Sequence, residues 1–207
     1  RRKMYHVRLI YNTNFSRTKF KDIDVFELWN KFDSVSVGAS LDAEGKRGEL
    51  MRKGTVWEET VANRKRMLEV CPQVDFYISA TVGLPNALHV ADFHRSWVEQ
   101  GLIKPADFNF NLLQNPVWQR MDLLPKEYKD KVQEKYDSHI EWLKGKDPLT
   151  RASKGFQSAL DWMWRRDKSD TLPLFIKNTR RYDEIRNENF VEVFPEWKEL
   201  FEKYEKS

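Results

Sequence analysis

The residues best equipped for chemistry gather where a strand pattern gives way to a loop. Ser40, Asp42, Glu44, Arg47 and Arg52 follow one another within residues 34–54, with Gly45, Gly48 and Gly54 between and after them. Just upstream, Val35, Val37, Ala39 and Leu41 alternate with Ser34, Ser36, Gly38 and Ser40, the two-residue period of a pleated strand. A strand that delivers Ser40 and Asp42 to its carboxyl end and then opens into glycines, acids and arginines has the parts of a binding edge. The same composition suits an ordinary strand-to-helix connection, so this stretch alone leaves both readings open.

Three further strand patterns also end in small polar or amide residues: Asn12-Thr13-Asn14, Thr81 with Asn86, and Asn111 with Gln114 and Asn115. In parallel α/β folds ligands bind outside the carboxyl ends of the strands. Polar groups there are cheap only where water or a ligand satisfies them. Four such ends in succession point to a shared ligand edge able to hold a ribose and an amino-acid carboxylate. The edge has no Ser-His-Asp or Cys-His pairing and no Walker-type glycine loop. His89 and His94 stand five apart on an expected helix and do not share a face, so a metal pair is not expected. His6 and His139 read as isolated. This edge is suited to holding a small molecule, not to hard chemistry alone.

Strands are expected over 6–11, 34–41, 74–82 and 107–113, with a helix in each gap, so the sheet should be parallel with helical crossovers. Asp22 or Asp24 can cap a first helix with Val25, Phe26, Leu28, Trp29 and Phe32 inward. Thr55 and Glu58 have capping-box spacing for a helix over 56–70, with Trp57, Val61 and Leu68 inward. Asn86 can cap a helix running to Gln100, which Gly101 stops. After Leu124 helices are expected over 125–144, 153–166 and 195–205, with a short one inside 173–186. The division is a partial barrel over 1–145 and a helical extension over 146–207. Ile185, Phe190, Val193, Phe194 and Trp197 form an apolar set that should pack the tail against the body, with Pro195 at the first position of the last helix.

The bulk composition narrows the class. With 207 residues, 40% of them hydrophobic and 14% aromatic, the chain is too apolar for a disordered one and large enough for a real core. No apolar run approaches membrane-span length. The single Cys71 excludes an internal disulfide, fits a reducing, cytoplasmic compartment, and excludes a self-contained iron–sulfur or cysteine-rich zinc site. Cys71 is expected to be unreactive at a helix–strand junction. The net charge of +4 comes from 36 bases and 32 acids that are interspersed, which weighs against a nucleic-acid partner. The opening Arg1-Arg2-Lys3-Met4 should run directly into the first strand, which reads as a piece of a longer protein.

Several stretches carry a family likeness. They are Leu9-Ile-Tyr-Asn12-Thr13-Asn14; Ser40-Leu-Asp42-Ala-Glu-Gly45 through Glu49-Leu-Met-Arg52-Lys-Gly54 and Trp57 to Asn63; Thr81-Val-Gly-Leu-Pro-Asn86; Leu112-Leu-Gln-Asn-Pro116; Leu123-Leu-Pro125; and the ending Tyr182 to Glu196. In this order and spacing, which covers nearly the whole chain, they resemble the carboxyl-terminal portion of radical S-adenosylmethionine (radical SAM) proteins, in particular the phage and bacterial twitch-domain group. The resemblance implies a partial (β/α) barrel of the TIM type, with these four strands the last four of a β6α6 barrel. It implies S-adenosylmethionine (AdoMet) as cofactor and a [4Fe–4S] cluster bound only through residues missing from this chain, since the family's Cys-x3-Cys-x2-Cys loop has no counterpart here.

Carried over by position, Ser40 and Asp42 sit beside the AdoMet ribose and Arg52 pairs with its carboxylate, with Arg47 a competitor for that place. Asn12 and Asn14 line the cleft, Thr81 and Asn86 approach cofactor or substrate, and Asn111 to Leu113 flank the adenine. The resemblance implies an enzyme when intact: the cluster cleaves AdoMet to a 5′-deoxyadenosyl radical that abstracts a substrate hydrogen, while this segment positions cofactor and substrate and is inactive alone. Its partner is then the missing amino-terminal half or an equivalent subunit. The substrate is unspecified, peptides being common among twitch-bearing relatives. Two alternatives stay open: a cluster-free relative acting as a binding or assembly subunit, and an unrelated α/β enzyme with a small-molecule site. An upstream Cys-x3-Cys-x2-Cys loop would decide for the enzyme.

Overall fold

Strand β1 (Arg8–Thr13) starts two residues later than the apolar run from His6 suggests, because residues 4–7 close a turn in which Val7 N donates to Met4 O at 3.4 Å. The computed structural model describes residues 4–205; the opening Arg1-Arg2-Lys3 lies outside them. A small antiparallel hairpin follows, β2 (Lys19–Phe20) and β3 (Ile23–Asp24). Helix α1 (Val25–Trp29) is capped by Asp24, whose Oδ1 accepts from Phe26 N at 3.0 Å. Next come β4 (Ser34–Ala39), α2 (Gly45–Met51), α3 (Trp57–Val70), β5 (Asp75–Val82), α4 (Val90–Glu99) and β6 (Phe108–Leu112). The rest is helical: α5 (Lys126–Leu143), α6 (Arg151–Trp164), α7 (Leu172–Arg186), α8 (Phe190–Val193) and α9 (Lys198–Glu205).

The four long strands form one parallel sheet in the order β1-β4-β5-β6, the order of the chain. The fold is α/β, as expected. The sheet is open, with β1 and β6 as its edges.

Register puts two opposed sets of side chains on this sheet, because successive residues of a strand point to opposite faces. On one face Val35, Val37, Ala39, Phe76, Ile78, Ala80, Val82 and Phe108 are all buried. Helices cover them: Arg64 of α3 lies over the Phe76 ring at 4.0 Å, Phe93 of α4 meets Phe108 at 5.8 Å, and Phe156 of α6 meets Phe110 at 4.6 Å. On the other face lie Ile10, Asn12, Ser36, Gly38, Tyr77, Ser79, Thr81, Asn109 and Asn111. That face is polar, Ile10 is 66% exposed, and Asn12 and Asn111 are exposed. The loop over 144–150 joins α5 to α6, and the buried core continues across it.

Several local expectations need correction. Residues 45–51 form helix α2, not a loop. Gly48 makes this possible, because a Cβ there would stand 2.6 Å from Ala43 O and 3.2 Å from the Trp57 ring. The box at Thr55 is not used: Val56 is the cap residue of α3, and Glu49 of α2 takes the free amide of Trp57 at 2.9 Å. The buried face of α3 is Thr60, Arg64 and Met67; Trp57 and Val61 stand at the core's margin and Leu68 is exposed. Helix α4 begins at Val90, since residues 84–89 form turns. The short helix expected inside 173–186 is the full α7. In the tail, Phe190, Phe194 and Trp197 are buried as expected, whereas Ile185 is 68% exposed. Pro195 opens a 3₁₀ turn leading into α9. His139 is not isolated: its Nε2 lies 2.9 Å from Nδ1 of His94, both rings being buried between α4 and α5. No described helix is long and apolar enough to cross a membrane.

Candidate functional site

The carboxyl ends of β4, β5 and β6 meet at Asp42. Asp42 is 7% exposed, and its Oδ1 accepts from the backbone N of Thr81 at 2.6 Å and from Arg52 Nη2 at 3.1 Å. Arg52 Nε stands 2.8 Å from Asp42 Oδ2, an ion pair without the direction of a hydrogen bond. Arg52 is positioned as the residue that ends α2, its N donating to Gly48 O at 2.9 Å. So α2, which composition disguises as a loop, delivers the guanidinium to the buried carboxylate. The pair is partly open to solvent on the arginine side, where the side chain is 30% exposed.

Asn86 braces this corner from behind and does not face a ligand. It is fully buried; its Oδ1 accepts from Gly83 N at 3.0 Å, and its Nδ2 donates to Asp42 O at 2.7 Å and to Thr81 O at 3.0 Å. One amide thus ties the ends of β4 and β5 to the turn that follows. Gly83 allows a further closure. A Cβ there would stand 2.7 Å from Gln119 O, the same carbonyl that accepts from Leu84 N at 2.7 Å. The loop after β6, with its cis Asn115–Pro116 peptide, is thereby drawn against the end of β5.

Between these elements lies a cavity of about 240 Å3 lined by Asp42, Arg52, Thr81 and Leu113 together with Met51, Gly83, Pro85 and Gln119. Four of the nine sequence-predicted site residues therefore share one cavity. The other five do not line it. Ser40 precedes it, held by its N donating to Thr13 O at 2.7 Å. Asn12 and Asn111 belong to the open polar face; Asn111 Nδ2 donates to Ser79 Oγ at 2.9 Å. Asn14 is spent on a turn, its Oδ1 accepting from Ser16 N at 3.3 Å and Ser16 Oγ at 3.0 Å. Asn86 is the brace described above.

Arg47 is no competitor for Arg52. Its Nη2 donates to Glu196 at 2.8 Å, its Nε to Val193 O at 3.1 Å, and its Nη1 to Nδ1 of His89 at 2.9 Å. Its guanidinium also lies over Phe194, 5.4 Å from the ring centroid. An arginine cannot accept, so His89 Nδ1 is the acceptor and the ring proton sits on Nε2. The 3.4 Å approach of Glu44 N to that Nε2 is then a contact between two donors. Burial, with the neighbouring Arg47 charge, lowers the His89 pKa to about 4. This cluster fastens the tail to α2.

The cavity's second wall was not legible in the sequence. Met51, Pro85 and Gln119 also line an adjoining cavity of about 320 Å3, whose far side is Trp118 and residues of α7 and α8. The pattern that could have signalled it is Thr179, Tyr182 and Arg186, which share one face of a helix at spacings of three and four. No protein-family model, curated protein or solved structure matches the chain.

Proposed function

We propose that this chain is the cofactor- and substrate-positioning part of a radical SAM enzyme, with AdoMet held at the carboxyl edge of the sheet. The observation that carries the reading is the one-sided sheet. An all-parallel sheet is ordinarily covered on both faces, yet here the face that carries Asn12, Ser79, Thr81 and Asn111 is polar and stands exposed at Asn12 and Asn111 on its edge strands, and it leads into a cavity built on Asp42 and Arg52. A polar face ending in a cavity suits the inner wall of a partial barrel.

The residues present fit AdoMet in a specific way. Thr81 N and Arg52 already occupy Asp42, which orients its carboxylate and leaves lone pairs for ribose hydroxyls. Arg52 gives one Nη2 proton to Asp42, with Nε beside it, so its Nη1 and the second Nη2 proton are left to meet the cofactor's carboxylate. Asp42 thereby anchors the guanidinium from one side and leaves its end free to pair with the cofactor's carboxylate. Leu113 supplies an apolar wall beside the sheet end. The chain's residues do not fit the cluster. No group of three or more His, Cys, Asp or Glu among the described residues is placed for a metal ion. The lone Cys71 is buried, with its thiol pushed up to about 11 by that burial. When bound, AdoMet supplies the radical chemistry; this chain binds, orients and shields.

Calorimetric titration of the chain with AdoMet tests the reading. Saturable binding is expected, weakened about tenfold or more by Arg52→Ala, in keeping with the loss of a charge-assisted hydrogen bond. Binding that is absent, or unaffected by Arg52→Ala, would sink it. Anaerobic incubation with iron, sulfide and reductant should yield no 5′-deoxyadenosine from the chain alone.

A further inference from the structure

The second cavity, of about 320 Å3, is built by the carboxyl-terminal helices against the loop after β6. Its walls are aromatic. Trp118 stands 6.4 Å from Phe175 and 6.0 Å from Tyr182, and Phe190 packs edge-on to Phe175 at 5.8 Å. Three polar groups converge on it without a partner for their side chains among the described residues: the Thr179 hydroxyl, the Gln119 amide and the Arg186 guanidinium. Thr179 is only 6% exposed, and it lines the cavity with its hydroxyl free to bond a ligand there.

The charges of the lining have a definite sign. Asp183 is engaged: its Oδ1 accepts from Phe190 N at 3.0 Å and its Oδ2 lies 3.5 Å from Arg180. Glu188 is paired with Lys53. Arg186 is stacked on Tyr182, with its guanidinium 4.7 Å from the ring centroid, and makes no ion pair among the described residues. Both acids are neutralised and one cation is left over. An apolar pocket with a few convergent polar groups is the ordinary form of a small-molecule site. Aromatic walls, a hydroxyl and amide inside, and an unpaired guanidinium at the rim together specify a flat apolar body that ends in an anion.

We propose that this cavity binds an aromatic carboxylate, the ring lying against Trp118 and Phe175 and the carboxylate meeting Arg186. Through Met51, Pro85 and Gln119 the ring would abut the Asp42–Arg52 cavity, so the aromatic acid is the substrate side of the same site. That assignment as substrate rests on the proposed function; the binding itself does not.

The test is calorimetric titration of the full chain with indole-3-propionate, with the alcohol of the same skeleton, 3-(indol-3-yl)propan-1-ol, and with tryptamine. Indole-3-propionate is expected to bind saturably and about tenfold or more tighter than the alcohol, with tryptamine weakest. Arg186→Gln should erase the preference for the acid over the alcohol while leaving the alcohol's affinity unchanged; Thr179→Val should weaken both indoles alike. The proposal is overturned by no saturable binding of any probe, by equal affinity for acid and alcohol, by preference for tryptamine, or by a preference that survives Arg186→Gln. A parallel titration with AdoMet separates the two readings. If AdoMet fails to bind while indole-3-propionate behaves as expected, the proposed function falls and the aromatic-acid cavity stands. If AdoMet displaces indole-3-propionate, the cavity belongs to the cofactor and the inference falls.

Discussion

On one face of the sheet Val37, Ala39, Ile78, Ala80 and Phe108 are sealed under α3, α4 and α6; on the other, Ile10 and Asn12 of β1 and Asn111 of β6 stand open. The alternation is clearest in β5, where Phe76, Ile78, Ala80 and Val82 are buried and Tyr77, Ser79 and Thr81 are half-buried. The sealed face carries the stability: each Val, Ile or Phe side chain removed from water there contributes about 1.5–3 kcal/mol, and each Ala less. The open face contributes little to it, which leaves its residues free to be polar. The cavity sits where the two meet, at the carboxyl ends, with Asp42 anchored from the buried side and Arg52 reaching in from the exposed one.

The largest effect should come from opening the sealed face. Phe108 is fully buried and meets Phe93, His94 and Phe110, with ring centroids 5.8, 4.6 and 5.5 Å away. Phe108→Ala should cost about 3–5 kcal/mol in urea unfolding, the transfer cost plus that of the cavity left behind. A loss under about 1 kcal/mol would mean the helices do not depend on this face, and the contrast between the faces would fail.

The contrast also explains what the sequence could and could not reveal. The sealed face writes itself as alternation: Phe76, Ile78, Ala80 and Val82 identify β5 without reference to anything else. The long apolar-striped helix α5 is legible for the same reason. Helix α2 was not, because its residues Gly45, Lys46, Arg47 and Gly48 carry loop composition, and the requirement for Gly48 comes from Ala43 O and the Trp57 ring rather than from its own helix. Asp42 and Arg52 could be picked out as candidate site residues, but not that they bind each other. Asn86 was legible as a special amide, though its work is to staple three backbone groups across the corner instead of capping α4. Thr179 and Arg186 share a helix face with Tyr182, but Gln119 became visible beside them only once the loop after β6 and α7 were folded against the sheet, since no local pattern joins residues so far apart in the chain.

A smaller effect tests the sealed side by pH. His94 and His139 lie under α4 and α5 as a fixed chain: Pro105 O can only accept, so His94 Nε2 carries the proton and donates to it at 3.1 Å, and His94 Nδ1 accepts from His139 Nε2 at 2.9 Å. His94 is therefore neutral, and burial keeps His139 neutral as well. Burial is the main cause that lowers their pKa values, to about 4 for His94 and about 3 for His139, with Asp147 acting upward on the first and Arg95 and Lys135 downward on the second. Between these values and the unperturbed 6.5 the unfolded chain binds more protons than the folded one. Stability should therefore fall as pH drops from about 6.5 towards 4 and be insensitive to these groups above that window. His139→Gln should flatten the fall. An unchanged slope in that variant would remove the pair from the account of the sealed face.

The smallest effect is expected on the open face, and it is the sharper test of what that face is for. Asn111 is exposed and its Nδ2 donates to Ser79 Oγ at 2.9 Å, a bond that water can replace on either side. Asn111→Ala should shift stability by no more than about 0.5 kcal/mol, the usual range for a surface position without a special role. A loss above about 2 kcal/mol would show that the face is covered in the folded protein and that its polar residues are held in a network. Ser79→Ala removes the other end of the same bond and should give the same small value, and the double variant should be no worse than the sum of the two. If the single variants are silent in unfolding but Asn111→Ala weakens AdoMet, the open face is a binding surface kept polar at no structural cost. If they are silent in both, the ligand edge ends at the Asp42–Arg52 cavity and the bare face needs another explanation.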